Sequence, residues 1–461
     1  MRHRYWNRAI EQASRVDLLA VQWERLEVIL EYAYIHNPMY RDRWDAAGVR
    51  PGAIRSIEQF RHEIPFVTKQ DFMLDQETRP PFGRRASMDP ERWGQIYLTS
   101  GTSGQGQEVH VASDTDLESS ARALAYQLWW AGVSPGDRIV VTLPVGLPSG
   151  GLSVRRACES YGLVSLMLGQ YDSATKIEVM RKFSPQALVC TPSYLTRLHA
   201  VGLEEGLDPG RDLVGLKVIL LCGEPYDLKW ACMAEEYWGA RLSEWYGCSQ
   251  AGEGHMIACE LGVHQHQGRQ RGVLHNLEHR VLAEVIDPES GEHVAPGEKG
   301  EVVITNLHRS LLMVRFRTND CARYLGETPC ECGRPLSGIE SGTVTRYDDM
   351  IKIRGLNVWP ESVDKVLFSR GGVADYRARV FVDDSGRESV TLEVEFASHD
   401  EVDEALLLGG IENEIKHAVG IHMHVVSVVP GTIPKAAFKA RRWHDERRSL
   451  RSDGVVLQGT T

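Results

Sequence analysis

The sequence predicts an α/β protein: a large N-terminal domain with mostly parallel sheets flanked by helices, followed by a small C-terminal α+β domain. Three observations carry this. Short apolar runs at 138–143, 164–168, 188–190 and 217–222 read as buried strands, with helical stretches between them. Strands that alternate with helices form parallel sheet covered on both faces. The chain is 461 residues long, more than a single core usually organises, and its last roughly 110 residues form a separate pattern of ordinary domain size.

Taken in order, Leu18, Val21, Trp23, Leu26, Ile29, Leu30 and Ala33 recur at mainly helical spacing and predict a first helix that covers the main domain. His36-Asn37-Pro38 ends it, because proline and the residue before it leave helical space. The stretch Tyr97-Leu98-Thr99-Ser100-Gly101-Thr102-Ser103-Gly104-Gln105 then joins an apolar strand to a run of hydroxyls and glycines. Such a loop can wrap N–H and O–H donors around phosphate oxygens. It lacks the Gly-Lys-Ser/Thr of a Walker A loop, and read alone it also fits a surface turn. Asp114 and Thr115 can cap a helix to about Trp130, and Gly132 and Pro135-Gly136 break the chain before the first parallel strand.

Each strand run ends in a turn: Pro144-Val145-Gly146, Thr191-Pro192-Ser193-Tyr194 and Gly223-Glu224-Pro225-Tyr226. Ligands of open α/β sheets bind at these carboxyl ends. Ser243-Glu244-Trp245-Tyr246-Gly247-Cys248-Ser249-Gln250 reads alone as an aromatic strand end with its turn. In the small domain, 379–381 and 390–396 predict a hairpin around Asp383-Asp384-Ser385-Gly386, 401–419 a helix, and 424–429 another strand. Arg441-Arg442 opens a basic tail that reads as a solvated end.

Composition narrows the function classes. A net charge of -11 argues against a nucleic-acid or anionic-membrane partner, and no apolar run approaches the ~18 residues that span a bilayer. The first residues have no signal-peptide core, and nine cysteines, an odd number, fit a reducing cytoplasm better than a disulfide framework. The expected location is cytoplasmic.

Together these segments resemble the adenylate-forming ligases, and within them the phenylacetate–CoA ligase branch. Asn37-Pro38-Met39-Tyr40-Arg41, Asp45-Ala46-Ala47-Gly48-Val49 and Ile64-Pro65-Phe66-Val67-Thr68-Lys69 look like the opening of that branch. Thr99, Ser100, Gly101, Thr102, Ser103 and Gly104 match its phosphate loop. Thr191-Pro192-Ser193-Tyr194-Leu195 matches the branch closely, and Gly223, Glu224 and Pro225 match the segment that lies against adenine. Tyr246 and Gly247 belong to the motif that follows. Pro296-Gly297-Glu298-Lys299-Gly300-Glu301 leads into Val314-Arg315-Phe316-Arg317-Thr318-Asn319-Asp320, where the resemblance gives Asp320 the ribose hydroxyls. Arg346 falls at the nucleotide-contacting arginine and Asp348 at the hinge, which implies a mobile small domain and a division into 1–347 and 348–461. Asn357-Val358-Trp359-Pro360-Glu361 continues the pattern. Gly431-Thr432-Ile433-Pro434 precedes Lys439, the place of the lysine that bridges carboxylate and α-phosphate. The acid's pocket is expected around Tyr194, Gly146, Gly150, Gly151 and the 223–226 segment.

The implied chemistry is attack of a carboxylate on the α-phosphate of ATP with loss of pyrophosphate. The small domain then rotates about Asp348 and a thiol, CoA, takes the acyl group. ATP, Mg²⁺ and CoA are the implied cofactors and an aryl or similar carboxylic acid the implied substrate. An amine or carrier-protein acceptor, a homodimeric state, and a degenerate acyl- or nucleotide-binding homologue stay open as alternatives. Retention of Asp320, Arg346, Asp348 and Lys439 favours the enzyme. The chain departs from the pattern at Gln250, where the family has the glutamate that holds Mg²⁺, at Gln105 in place of lysine, and at Phe438 in place of glycine. Glu253, three residues beyond Gln250, is a candidate substitute.

A metal is implied as well. Cys330-Glu331-Cys332 puts two thiols on one turn, and Cys259 with a histidine would complete a Cys₃His structural zinc site of the kind some branch members carry. His275 fits the branch spacing better than His264, which would make 265–272 an inserted loop. Cysteines that are merely buried remain the alternative reading, and Cys158, Cys222 and Cys248 read as core fillers.

Overall fold

A computed structural model describes residues 4–86, 90–99, 107–146, 149–266, 268–308, 312–327, 330–347, 351–354, 356–369, 372–383, 386–396, 404–434 and 442–447. The backbone divides into two compact units, Met1–Thr345 and Arg346–Thr461.

In the first unit, β1 (Trp93–Leu98) and β2 (Val109–Ser113) form an antiparallel hairpin of their own. β3 (Arg138–Val141), β4 (Val164–Met167), β5 (Ala187–Cys190), β6 (Val218–Cys222) and β7 (Arg241–Cys248) pair in parallel in the order β4-β3-β5-β6-β7. β5 is buried at every position, as a strand covered on both faces must be. β4 is different: it is the edge strand and Val164 is exposed, so this run is only half-buried. Beyond β7 the same sheet turns antiparallel. It passes through β8 (Gly252–Ala258), which is followed in sequence by the two-residue ribbon β9 (His264–Gln265) and β10 (Gln270–Arg271). It then continues through β11 (Val273–Asn276), β12 (Val281–Ile286), β13 (Lys299–Asn306), β14 (Phe316–Gly326) and β15 (Gly338–Glu340) in the spatial order β8-β11-β15-β14-β13-β12. Within 265–272 the ribbon takes Gln265 and Gln270–Arg271.

The helix Arg15–His36 buries Leu18, Leu26, Ile29, Leu30 and Ala33. Four of these, Leu26, Ile29, Leu30 and Ala33, join Leu282, Val302 and Phe316 of the antiparallel half in one core. Asn37 ends that helix and starts the next: its Oδ1 accepts from the N–H groups of Met39 at 3.1 Å and Tyr40 at 3.4 Å. The helix Asp114–Trp130 is capped one residue earlier than the sequence suggests. Ser113 is the N-cap, in a reciprocal capping box with Asp116, and Asp114 lies in the first turn.

The second unit holds a sheet in the order His424–Val428, Glu388–Phe396, Val373–Val382, Trp443–Asp445, with helices Pro360–Ser369 and Glu404–Val419. The hairpin strands are longer than their most apolar stretches, running from Val373↔Phe396 to Val382↔Glu388. Val363, Leu367, Tyr376, Leu392, Ile411 and Ile415 form its core.

Candidate active site

The turns after β3, β5, β6 and β7 follow the carboxyl ends of parallel neighbours, and side-chain hydrogen bonds tie them together. Glu224 accepts from the N–H and the hydroxyl of Ser193, both at 2.9 Å, which joins the ends of β5 and β6. Gly223 makes that turn with φ +80, a conformation that a side chain would strain. After β3 the chain enters the helix Ser149–Tyr161, which contains Gly150 and Gly151. A Cβ on Gly151 would lie 2.1 Å from the carbonyl oxygen of Pro144, so glycine lets the helix seat against the end of β3. Ser149 donates to Ser249 beyond β7 at 2.8 Å.

Tyr246 lies near the end of β7, buried, and its hydroxyl donates to Asp320 Oδ2 at 2.8 Å. Burial and the adjacent Asp320 carboxylate push the phenol well above its ordinary pKa, so it stays a donor. Asp320 is aimed by a bulge. Register with β13 shifts between Glu301 and Val303, and Asn319 takes φ +62. Asparagine tolerates that region, and bulges re-aim side chains. Glu301 accepts from the Asn319 N–H at 3.1 Å and fixes the distortion.

The mouth of the glycine-rich loop is closed by Thr99 and Glu108. Thr99 N–H donates to the Glu108 carbonyl at 3.1 Å, and Glu108 N–H donates to Thr99 Oγ1 at 3.0 Å. The Glu108 side chain is fully buried, and its Oε2 accepts from Gln250 Nε2 at 2.8 Å. Its Oε1 has no hydrogen-bond partner among the described residues. Such an orphaned acceptor costs about 1–3 kcal/mol. Burial opposes ionisation of Glu108, but the facing His110 ring and the positive charges of Arg85 and Lys69 hold the carboxyl below its usual range. His110 is itself lowered to about 4 by burial and by Arg85, so its imidazole is neutral.

A second cluster is Cys259, His275, Cys330 and Cys332, all buried, with ligand atoms within 4.8 Å of one another. Cys259 Sγ lies 3.9 Å from Cys330 Sγ, and Cys332 Sγ lies 3.4 Å from His275 Nε2. A tetrahedral zinc with ordinary bond lengths separates sulfurs by about 3.8 Å and sulfur from nitrogen by about 3.6 Å, so the donors fit that ion. His275 Nδ1 faces the Leu336 carbonyl at 3.4 Å, an orientation that leaves Nε2 towards the thiols. His264 is elsewhere, paired with Glu235 at 2.7 Å.

Residues 48–309 match the AMP-binding enzyme family and residues 355–447 its C-terminal domain. The chain belongs to the AMP-binding enzymes. It is 30% identical to a phenylacetate-coenzyme A ligase of Thermus thermophilus over 95% of this chain and 99% of that one. It is also 30% identical to the phenylacetate-coenzyme A ligase of Escherichia coli, over 95% and 97%. Among solved structures, 2-hydroxyisobutyryl-CoA ligase in the postadenylation state with 2-HIB-AMP superposes with a TM-score of 0.87 at 26% identity, covering 98% of this chain and 94% of that one. The same ligase with 2-HIB-AMP and CoA in the thioesterification state gives 0.71 at 26% identity, covering 98% and 95%.

In this AMP-binding enzyme the structure links Thr99 to Gln250 through Glu108, and separately Tyr246 to Asp320. Tyr194 is buried in the core of the parallel half, and its hydroxyl meets Lys176 Nζ at 2.7 Å and Ser173 Oγ at 3.1 Å. Gly247 lies within β7, Gly146 follows Pro144-Val145, and Arg346 ends a two-residue strand begun by Thr345. Ser100, Gly101, Thr102, Ser103, Gly104, Asp348 and Lys439 lie outside the described residues, as does the side chain of Glu253. The sequence reading missed Glu108 and Lys176. A glutamate two positions before a histidine on one strand face was the available signal for the first.

Proposed function

We propose that this AMP-binding enzyme activates an aryl or aryl-like carboxylic acid and hands it to CoA. It is an AMP-forming acid–thiol ligase: ATP converts the acid to an acyl-adenylate, and thioester transfer follows. The observation that carries the reading is likeness to phenylacetate-coenzyme A ligases over 95% of the chain, with both AMP-binding domains matched.

Asp320, oriented by Tyr246, accepts the ribose hydroxyls, and the backbone at Gly223, Glu224 and Pro225 flanks the adenine. Thr99 and the loop 100–104 donate to the phosphates, Arg346 contacts the nucleotide, and Lys439 neutralises charge as the carboxylate attacks. A bound Mg²⁺ would offset phosphate charge beside Gln250. Gly146, Gly150, Gly151 and Tyr194 border the acid. Residues 1–347 bind ATP and acid, and 348–461 swing about Asp348. Cys259, His275, Cys330 and Cys332 hold a structural zinc. Cysteines that form no disulfide among the described residues suit a cytoplasmic enzyme.

ATP–pyrophosphate exchange across a panel of carboxylic acids, followed by detection of CoA thioesters, tests this reading. Exchange dependent on arylacetates or benzoates, with thioester formed on adding CoA, is the expected result. No exchange with any acid would make the chain a binder, and exchange without thioester would point to an amine or carrier-protein acceptor.

A further inference from the structure

At the root of the glycine-rich loop sits a carboxylate that the sequence pattern does not call for. Glu108 is fully buried, and its backbone is held at both polar groups by Thr99. One side-chain oxygen, Oε2, takes the Gln250 amide hydrogen at 2.8 Å and lies 3.9 Å from His110 Nε2. The other, Oε1, is buried without a donor among the described residues.

The surroundings explain why this group stays charged and what it lacks. Arg85 donates to His110 Nδ1 at 3.0 Å, which makes Nδ1 the acceptor and leaves the imidazole hydrogen on Nε2, the nitrogen on the Glu108 side. Arg85 also donates to the Val109 carbonyl at 2.6 Å. Arg85 is therefore committed to His110 and to the Val109 carbonyl. Gln250 is the link to the rest of the site. It follows β7 by two residues, and the same strand carries Tyr246 to Asp320. An amide that donates to a carboxylate fixes that carboxylate's rotamer without competing for a cation. Its own carbonyl is a weaker, neutral ligand.

We propose that Glu108 is the protein carboxylate that holds the divalent cation accompanying ATP, with Gln250 as its positioning residue. Relative to the pattern the chain resembles, position 250 carries an amide in place of a carboxylate, and a carboxylate sits 2.8 Å from that amide on position 108. Mg²⁺ takes only one or two protein carboxylates and completes its shell with phosphate and water, so a single buried oxygen at the loop mouth suffices. This rests on the reading that the enzyme uses a divalent cation with ATP.

Mn²⁺ replaces Mg²⁺ as a spectroscopic probe in the test. Its dissociation constant is measured by electron paramagnetic resonance on the full chain saturated with a non-hydrolysable ATP analogue, for wild type, Glu108→Gln and the exchange variant Glu108→Gln/Gln250→Glu. Nucleotide affinity without metal is followed in parallel, and thermal melting checks the fold. The expected result is Mn²⁺ binding weakened by about tenfold or more in Glu108→Gln and largely recovered in the exchange variant, with metal-free nucleotide binding not weakened in Glu108→Gln. The exchange variant restores the buried hydrogen-bonded pair and so keeps the test open if the single variant is unstable. Equal Mn²⁺ affinity in wild type and Glu108→Gln overturns the role of Glu108 alone. Mn²⁺ held by the wild-type complex no better than by the free analogue overturns the cation reading itself, and the proposal with it.

Discussion

Tyr246 on the strand β7 donates its phenolic hydrogen to Asp320 Oδ2 on the bulged strand β14 at 2.8 Å. The bond helps to orient that carboxylate on its bulge. A hydrogen bond to a charged group contributes about 1.5–3 kcal/mol. Tyr246→Phe should therefore lower kcat/KM for ATP in pyrophosphate exchange by about tenfold or more, leave KM for the acid unchanged, and keep the fold. An unaltered ATP dependence would show that Asp320 needs no help from the phenol.

The zinc reading separates two histidines. His275→Ala removes a donor whose Nε2 is 3.4 Å from Cys332 Sγ, whereas His264→Ala removes only a partner of Glu235. Elemental analysis of protein purified without chelator should find one zinc per chain in wild type and His264→Ala and a large loss in His275→Ala. Structural zinc contributes directly to folding, so His275→Ala should also melt at lower temperature. Zinc retained in His275→Ala but lost in His264→Ala would reverse the assignment.

What the sequence made legible was what local physics decides. The runs that became β3, β5 and β6 are continuous apolar strands, and no tertiary contact is needed to see them. Asn37 before Pro38 announced the break between two helices. Asp320 was singled out through resemblance, but its bulge was not, because a register shift depends on how β13 and β14 pair. Glu108 was hidden for a sharper reason. In Glu108-Val109-His110-Val111-Ala112 the valines read as the inward face, yet Glu108, His110 and Ala112 are the buried residues. The hairpin turns its polar alternation inward towards Arg85 and Gln250, partners far away in sequence. The extra residue of cap at Ser113 was missed because three neighbouring side chains could each cap that helix.

Lys439 is expected to act in one half-reaction. Its side chain neutralises developing charge only while carboxylate meets α-phosphate, and such groups are worth about two to three orders of magnitude in rate. Lys439→Ala should therefore depress pyrophosphate exchange by about that factor. Conversion of a supplied acyl-adenylate to CoA thioester should survive, with the melting temperature unchanged. Equal loss of both steps in a folded variant would remove the lysine from adenylation.

Glu244 makes the folding stability depend on pH. It is buried on β7 and accepts from the Tyr226 hydroxyl and, at 2.8 Å, from the Gly342 N–H. Burial raises its carboxyl to about 7 against the lowering effects of Tyr226, Gly342 and Arg271. A carboxyl raised on folding binds its proton more tightly in the native state than in the unfolded chain. Its contribution is therefore complete below about pH 4.5 and is lost as pH rises through about 7, an amount on the order of 3 kcal/mol at the upper limit. Glu244→Gln keeps an acceptor for both donors and removes the ionisation. Urea midpoints measured from pH 5 to pH 8.5 should fall for the wild type across this window, beyond any slope shared by both proteins. They should fall less for Glu244→Gln, which becomes the more stable protein above pH 7. Parallel profiles would show that Glu244 does not titrate in this range, and a loss of stability in Glu244→Gln at every pH would mean that the carboxylate's charge itself is needed between Tyr226 and Gly342.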